Sequence, residues 1–348
     1  MSPVVTWRTV VSDSRAFVLG SGSWGTALAL VLADAGRDVV LWTRDPHMAG
    51  SMQLTRLNDR YLSGVMLPTS IVCTHKMEMV QHCDVVVLAV PCQFLRPALR
   101  ALAPYLSNAA HIVSAVKGIE LATSLCVSDV VRQEVLDLHR PSCRYSVLSG
   151  PSFAKEVAEK KPTAVTIASE TMSRVNFLQD YFNTSYFRLY SSLDTVGVEV
   201  AGALKNVIAI AAGICDGMRF GNNTRAALVT RGLAEISRLG VKMGANPLTF
   251  SGLSGIGDLV LTCTGGLSRN RHVGEQLGRG KHLQQIVAAM DMVAEGVATT
   301  KSALSLSTSY SVDMPILQEV YDVLYRDKPC KDAVRSLLSR SQKEEIYF

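Results

Sequence analysis

Hydrophobic positions along this chain fall into two regimes that meet near residue 190. In the first, short continuous runs rich in valine and leucine alternate with helical stretches. Residues 16–20 (AFVLG) form such a run and end on a glycine, and residues 24–35 (WGTALALVLADA) then carry helical periodicity, with Gly36 as a stop. A second strand is predicted at 38–43 (DVVLWT). More follow at 84–91, 111–116, 145–151, 163–168 and 186–190, with helices over 92–103 and near 171–182. Continuous β-branched runs alternating with helices predict an α/β unit built on a mostly parallel, doubly wound sheet. Past residue 190 the strand signals stop. Helices are predicted over 194–215, 224–242, 269–277, 281–290, 296–309 and roughly 315–339. The change of period sets a domain boundary between 193 and 194. Residues 1–193 form the sheet domain, with 1–15 as an N-terminal extension, and 194–348 form an all-helical domain.

One helix in the second regime breaks the usual polarity rule. Between Thr195 and Cys215 the strongly polar side chains are Glu199, Lys205 and Asn206. A helix apolar nearly all round belongs in a core or a membrane, and a buried ammonium needs a partner. The stretch approaches the length of a membrane span, but its three polar side chains and Asp216 directly after it favour a core helix.

Composition changes this picture little. The chain is long enough for two full cores at 348 residues, and its hydrophobic and charged fractions are ordinary for a globular protein. A net charge of +5 without basic runs suits small anionic ligands and gives no case for nucleic acid. The eight cysteines are scattered, as expected for reduced and mostly buried thiols. The histidines show no ligand spacing, so no metal is expected. The start of the chain is too broken by Arg8 for a secretory leader, the last residues (EEIYF) carry no targeting box, and a cytoplasmic location is expected.

The stretch GSGSWG then adds chemistry. Gly20, Gly22 and Gly25 fit GxGxxG between a predicted strand and helix. Gly20 would allow the tight turn, Gly22 the approach of a pyrophosphate, and Gly25 close packing of helix on strand. The free N–H groups of the helix start would face the phosphates. The sheet domain therefore reads as Rossmann-like and dinucleotide-binding. At the end of the second strand Arg44 precedes any carboxylate. It can pair with a 2′-phosphate or stand as a solvated loop arginine, so both NADP and NAD remain open as cofactor.

Several stretches together resemble the NAD(P)-dependent glycerol-3-phosphate dehydrogenase family, in particular its bacterial type. They are GSGSWGTALA (20–29), KGIE (117–120), SGPSFAKEVA (149–158), GVEVAGALKNVIAIAAGICDG (197–217), NTRAALVTRGLAEISRLG (223–240), GIGDLVLTCTGGLSRNRHVG (255–274) and AEGVATTKS (294–302). The resemblance covers nearly the whole chain after residue 15. It implies reversible hydride transfer between NAD(P)H and dihydroxyacetone phosphate, giving sn-glycerol 3-phosphate, with Lys205 as proton donor and acceptor. It implies that Lys117, Gly150, Ser152, Lys205, Asp258, Ser268, Arg269 and Asn270 line the substrate pocket. Gly20, Gly22, Ser23, Trp24, Gly25, Arg44, Lys117, Ala154, Arg269, Val293 and Glu295 would serve the cofactor. It also makes a homodimer the expected assembly. Arg44 stands where family members vary.

The same residues can be weighed on chemistry alone. A carbonyl that accepts hydride develops alkoxide character, which a nearby ammonium stabilises and protonates. Burial lowers a lysine's pKa toward neutrality, where transfer runs in either direction. Gly202 and Ala201, one turn before Lys205, are small and would leave room for a ligand. Asp258 can pair with Lys205, accept from a substrate hydroxyl, or cap a helix before LVLTC. Ser268 is predicted as the N-cap of a helix that opens with Arg269, a ready phosphate site, with Arg271 read as surface. Lys117 and the SGPS turn lie at the carboxyl edge of the sheet, where such folds bind ligands. Glu295 has no role that chemistry alone assigns. The competing readings are a related two-domain dehydrogenase acting on another small anionic hydroxy or keto substrate, and a dinucleotide-sensing protein without turnover.

Overall fold

The computed structural model describes residues 14–290, 292–342 and 344–345. Residues 1–13 of the extension expected over 1–15 and the last three residues lie outside the described part, and Arg15 already belongs to the first strand. Among the described residues the strands are β1 (Arg15–Leu19), β2 (Asp38–Trp42), β3 (Leu57–Asn58), β4 (Leu62–Met66), β5 (Ile71–Thr74), β6 (Val85–Leu88), β7 (His111–Ser114), β8 (Arg144–Ser149), β9 (Thr163–Ser169) and β10 (Phe187–Ser192). The first half also holds α1 (Ser23–Asp34), α2 (Pro46–Thr55), α3 (Leu95–Leu102), α4 (Val127–Val131), α5 (Ala154–Ala158) and α6 (Met172–Tyr181). The remaining helices are α7 (Thr195–Gly217), α8 (Asn222–Lys242), α9 (Asp258–Thr264), α10 (Arg269–Gly278), α11 (Leu283–Ala288), α12 (Glu295–Ser309), α13 (Pro315–Tyr325) and α14 (Cys330–Leu338).

Eight strands form one sheet in the order β10-β9-β8-β7-β6-β1-β2-β5, and β3 and β4 pair as a separate hairpin. Every neighbouring pair in the large sheet is parallel except β8 with β9. A parallel sheet must be covered on both faces, and two apolar clusters do this, one around α1 and α6 and the other around α3 and α4. The order in which strands are added reverses at β1, with β2 on one side and β6 on the other. The carboxyl end of β1 is therefore the switch point where ligands bind in such folds.

The sequence reading missed the β3–β4 hairpin, β5, α2, α4 and α9. The helix predicted over 315–339 is two helices, α13 and α14, because Pro329 cannot continue one and instead caps the next.

The helical half is built round α7. Each residue from Gly197 to Cys215 is buried, which explains why its sequence is apolar on all sides. By length and composition this helix could cross a membrane, yet its apolar window is wholly inside the fold. α10 packs on α7 backbone to backbone: a Cβ on Gly213 would lie 2.0 Å from the Arg271 carbonyl oxygen, and one on Gly274 would lie 1.9 Å from that of Ile210. At the far end, buried Glu235 of α8 accepts from the N–H groups of Ile316 and Leu317 at 2.8 and 3.3 Å, capping α13 from a neighbouring helix.

Candidate active site

The glycine-rich turn is tight and packs closely on α1. Gly20 has φ +117°, in the left-handed region, and its N–H donates to the Trp42 carbonyl at 3.1 Å. A Cβ on Gly25 would sit 1.9 Å from the Gly20 oxygen, whereas one on Gly22 would meet no atom within 4 Å. Gly25 thus keeps α1 against the turn, and Gly22 borders open space. Gly22 caps α1 without a side-chain bond, so the first N–H groups of that helix have no capping acceptor. Asn58, on the unpredicted hairpin, braces the turn through bonds to the Ser21 carbonyl (2.8 Å) and Thr26 Oγ1 (2.7 Å). Ser23 Oγ donates to the Tyr61 carbonyl at 2.6 Å, Trp24 Nε1 is buried with no partner among the described residues, and Ala154 opens α5 beside α1. Arg44 is exposed just past β2.

Across the cleft, three charged groups meet. Lys205, 6% exposed, donates to Asp258 Oδ1 at 2.8 Å and to Thr262 Oγ1 at 2.6 Å. Lys117, just beyond β7, donates to the other carboxylate oxygen, Oδ2, at 2.6 Å and to the Gly150 carbonyl at 3.2 Å. One carboxylate therefore serves two ammoniums, leaving the cluster with an excess positive charge. Burial pulls the Lys205 pKa down to about 8, against the opposing pull of Asp258 and with help from Lys117. Burial alone would raise Asp258, but the two lysines outweigh it and hold the carboxyl below its usual range. Asp258 occupies the first turn of α9 rather than its cap, and its carboxylate goes to the lysines; of the roles left open, pairing is the one observed. Thr262, one turn further along α9, escaped the sequence reading. Its position four residues after a buried aspartate was the available signal. The space expected beside Gly202 is not free: Ser149 Oγ and the Lys117 stem occupy it.

The start of α10 forms the third part. Ser268 is its N-cap, accepting from the Arg271 N–H at 3.2 Å. Arg269 is exposed and donates to the Val293 carbonyl at 2.8 Å. Asn270 donates to Asn206 Oδ1 at 2.8 Å and accepts from the Gly296 N–H at 2.9 Å, joining α7, α10 and α12 beside Lys205. Arg271, expected at the surface, instead pairs with Asp216 at 2.7 Å, because the backbone contact of α10 with α7 brings it over that helix's end. Ser152 Oγ donates to the Gly150 carbonyl at 3.0 Å.

Glu295, the first residue of α12, accepts from the Cys92 N–H at 3.0 Å through Oε1. Its Oε2 is buried with no partner among the described residues, and burial raises the carboxyl pKa to about 7. The open space at Gly22 and the unpartnered Trp24 Nε1 and Glu295 Oε2 fit a dinucleotide laid along this edge, with polar groups still to be satisfied.

Residues 15–175 match the NAD-dependent glycerol-3-phosphate dehydrogenase N-terminus, and residues 194–335 match the C-terminus of the same family. A glycerol-3-phosphate dehydrogenase [NAD(P)+] of Syntrophobacter fumaroxidans is 52% identical over 332 residues, covering 94% of this chain and 96% of its own. One from Geobacter sp. strain M21 is 51% identical with 94% and 98% covered. The crystal structure of glycerol-3-phosphate dehydrogenase from Coxiella burnetii superposes with a TM-score of 0.90 at 36% identity, covering 94% of this chain and 99% of that one. With both halves matched in order and full-length relatives at this identity, the chain belongs to the NAD-dependent glycerol-3-phosphate dehydrogenase family.

Proposed function

We propose that this chain interconverts dihydroxyacetone phosphate and sn-glycerol 3-phosphate using NAD(P)H and NAD(P)+, with Lys205 as the general acid and base. The observation that carries this reading is a buried amine with its pKa drawn to about 8, fixed by Asp258 and Thr262 and joined through that carboxylate to Lys117 at the carboxyl edge of the sheet. When bound, the dihydronicotinamide supplies the hydride. Lys205 holds the substrate carbonyl oxygen, stabilises the negative charge that grows on it and delivers the proton. Asp258 and Thr262 fix the direction of the amine. Lys117 adds positive charge at the same centre, and Arg269, Asn270 and the opening of α10 receive the phosphate. Ser152 and Gly150 shape the wall beneath Lys117, and Ser268 holds the start of α10 in place. Gly20, Gly22, Gly25, Ser23, Trp24 and Ala154 line the dinucleotide along the sheet edge, with Val293 and Glu295 closing its far end.

Both halves on either side of the boundary at 193–194 contribute: the sheet side gives the glycine-rich turn and Lys117, and the helical side gives Lys205, Asp258 and Glu295. A homodimer in the cytoplasm is the assembly and location this reading carries. In an assay following reduced-nicotinamide absorbance with dihydroxyacetone phosphate, the wild type turns over and Lys205→Met loses about 10²- to 10⁴-fold while its affinity for the cofactor stays the same. Equal turnover in the variant would sink the assignment.

A further inference from the structure

The corner beyond β2 and β5 bears on the 2′ side of the adenosine ribose. β5 is the outermost strand on this side and runs parallel to β2, with Trp42 opposite Thr74. Past that pair the two chains stay joined. The Thr43 N–H donates to the Thr74 carbonyl at 2.9 Å, and Trp42 Nε1 donates to that of His75 at 2.9 Å. Two residues past that last pair, Arg44 and Lys76 follow the ends of the neighbouring strands β2 and β5. Both are exposed, and neither side chain makes an ion pair or hydrogen bond with another described residue. The corner adjoins the phosphate-binding turn through the bond from the Gly20 N–H to the Trp42 carbonyl. A dinucleotide with its pyrophosphate on that turn lays its adenosine ribose over the end of β2.

In a site selective for the unphosphorylated cofactor, an acid at this strand end takes the ribose hydroxyls. The candidate here is Asp45, and it is engaged elsewhere: Oδ1 accepts from the His47 and Met48 N–H groups at 2.9 and 3.4 Å, capping α2. The corner therefore presents two free cations and a carboxylate turned to its own helix. Glu78, in the turn after Lys76, is the other acid nearby.

We propose that Lys76 is a specificity residue, forming with Arg44 a two-cation seat for the 2′-phosphate of NADP(H), so that the chain prefers the phosphorylated dinucleotide. This deepens the dehydrogenase reading and rests on it for the identity of the bound molecule. The guanidinium takes two phosphate oxygens in a fork, and the ammonium, reaching from the neighbouring strand, takes the third as a point charge.

The test needs no turnover. The full chain is titrated calorimetrically with adenosine 2′,5′-bisphosphate and with 5′-AMP, which differ in the 2′-phosphate alone. The wild type binds the bisphosphate more tightly. Lys76→Gln weakens the bisphosphate about tenfold and leaves 5′-AMP unchanged. Arg44→Gln does the same, and the double variant binds the two compounds alike. A Lys76→Gln protein that keeps the wild-type ratio overturns the proposal, even where Arg44→Gln lowers it. Equal weakening of both ligands also overturns it, since that would report a disturbed adenosine site. Failure of the underlying reading shows separately, as absent turnover of dihydroxyacetone phosphate in a protein whose preference for the bisphosphate is intact.

Discussion

Replacing Asp258 with asparagine keeps the shape of the side chain and removes its charge, which makes it a sharp probe of the amine it holds. The carboxylate lies 2.8 Å from Lys205 Nζ and 2.6 Å from Lys117 Nζ. Two unit charges about 4 Å apart at an effective dielectric near 20 interact by about 4 kcal/mol. At 1.36 kcal/mol per unit, its loss lowers the Lys205 pKa by about three pH units. Lys117, no longer neutralised, pushes in the same direction. The wild-type amine titrates at about 8. Reduction of the carbonyl needs it protonated, so kcat/KM for dihydroxyacetone phosphate falls as pH rises through about 8. Oxidation of glycerol 3-phosphate needs it neutral and rises over the same interval. In Asp258→Asn the reductive limb should move to about pH 5, leaving about 1% of the amine protonated at pH 7. The assay is a pH series of initial rates in both directions on the purified variant. Any contact of Asp258 with substrate changes the height of these profiles and not the position of their limbs. A limb that stays near 8 in the variant would refute the idea that this carboxylate sets the proton affinity of Lys205.

Other perturbations give separable outcomes. Arg269→Ala should raise KM for the phosphorylated substrate by about thirtyfold, the loss of about 2 kcal/mol of charge-assisted bonding, and an unchanged KM would remove the arginine from phosphate binding. Glu235→Gln concerns stability: burial raises this carboxyl to about 7, with the two α13 N–H groups opposing. Its folded pKa lies above the unfolded value, so the folded chain holds a proton the unfolded chain has released, and stability declines as pH climbs from about 4.5 to about 7. The amide should flatten that decline and stabilise the protein at pH 8 by about 2–3 kcal/mol while changing little at pH 4, read from thermal unfolding at both; a pH dependence matching wild type would count against it.

The alternation of strand and helix was legible from β-branched runs because a sheet covered on both faces needs continuous apolar strands. The β3–β4 hairpin and β5 were not. Their exposed faces carry mixed residues, as in the LSGVM of β4, and the short strands give too few positions for a period to show. Lys205 stood out because an ammonium in an apolar helix contradicts its surroundings. Asp258 was marked by its apolar and glycine neighbours, but the choice between cap and partner depended on α9 lying against α7, which no local pattern encodes. Thr262 and Asn206 work through partners more than fifty residues away. Arg271 read as surface because its own helix is polar, whereas Asp216 reaches it from another.

The glycines that let α7 and α10 touch along their backbones bear on which molecules fit between them. Lys205 is carried by one of these helices, and Arg269 and Asn270 by the other. Where those glycines meet the opposite backbone there is no side chain to compress or rotate, so the two helices are held at a fixed separation there. On the proposed reading, the span from the reacting oxygen to the anionic tail is set like the jaws of a fixed gauge. A molecule with one extra methylene between those ends would have to buckle or leave one end unheld, and the frame would sort its guests by length before any chemistry begins.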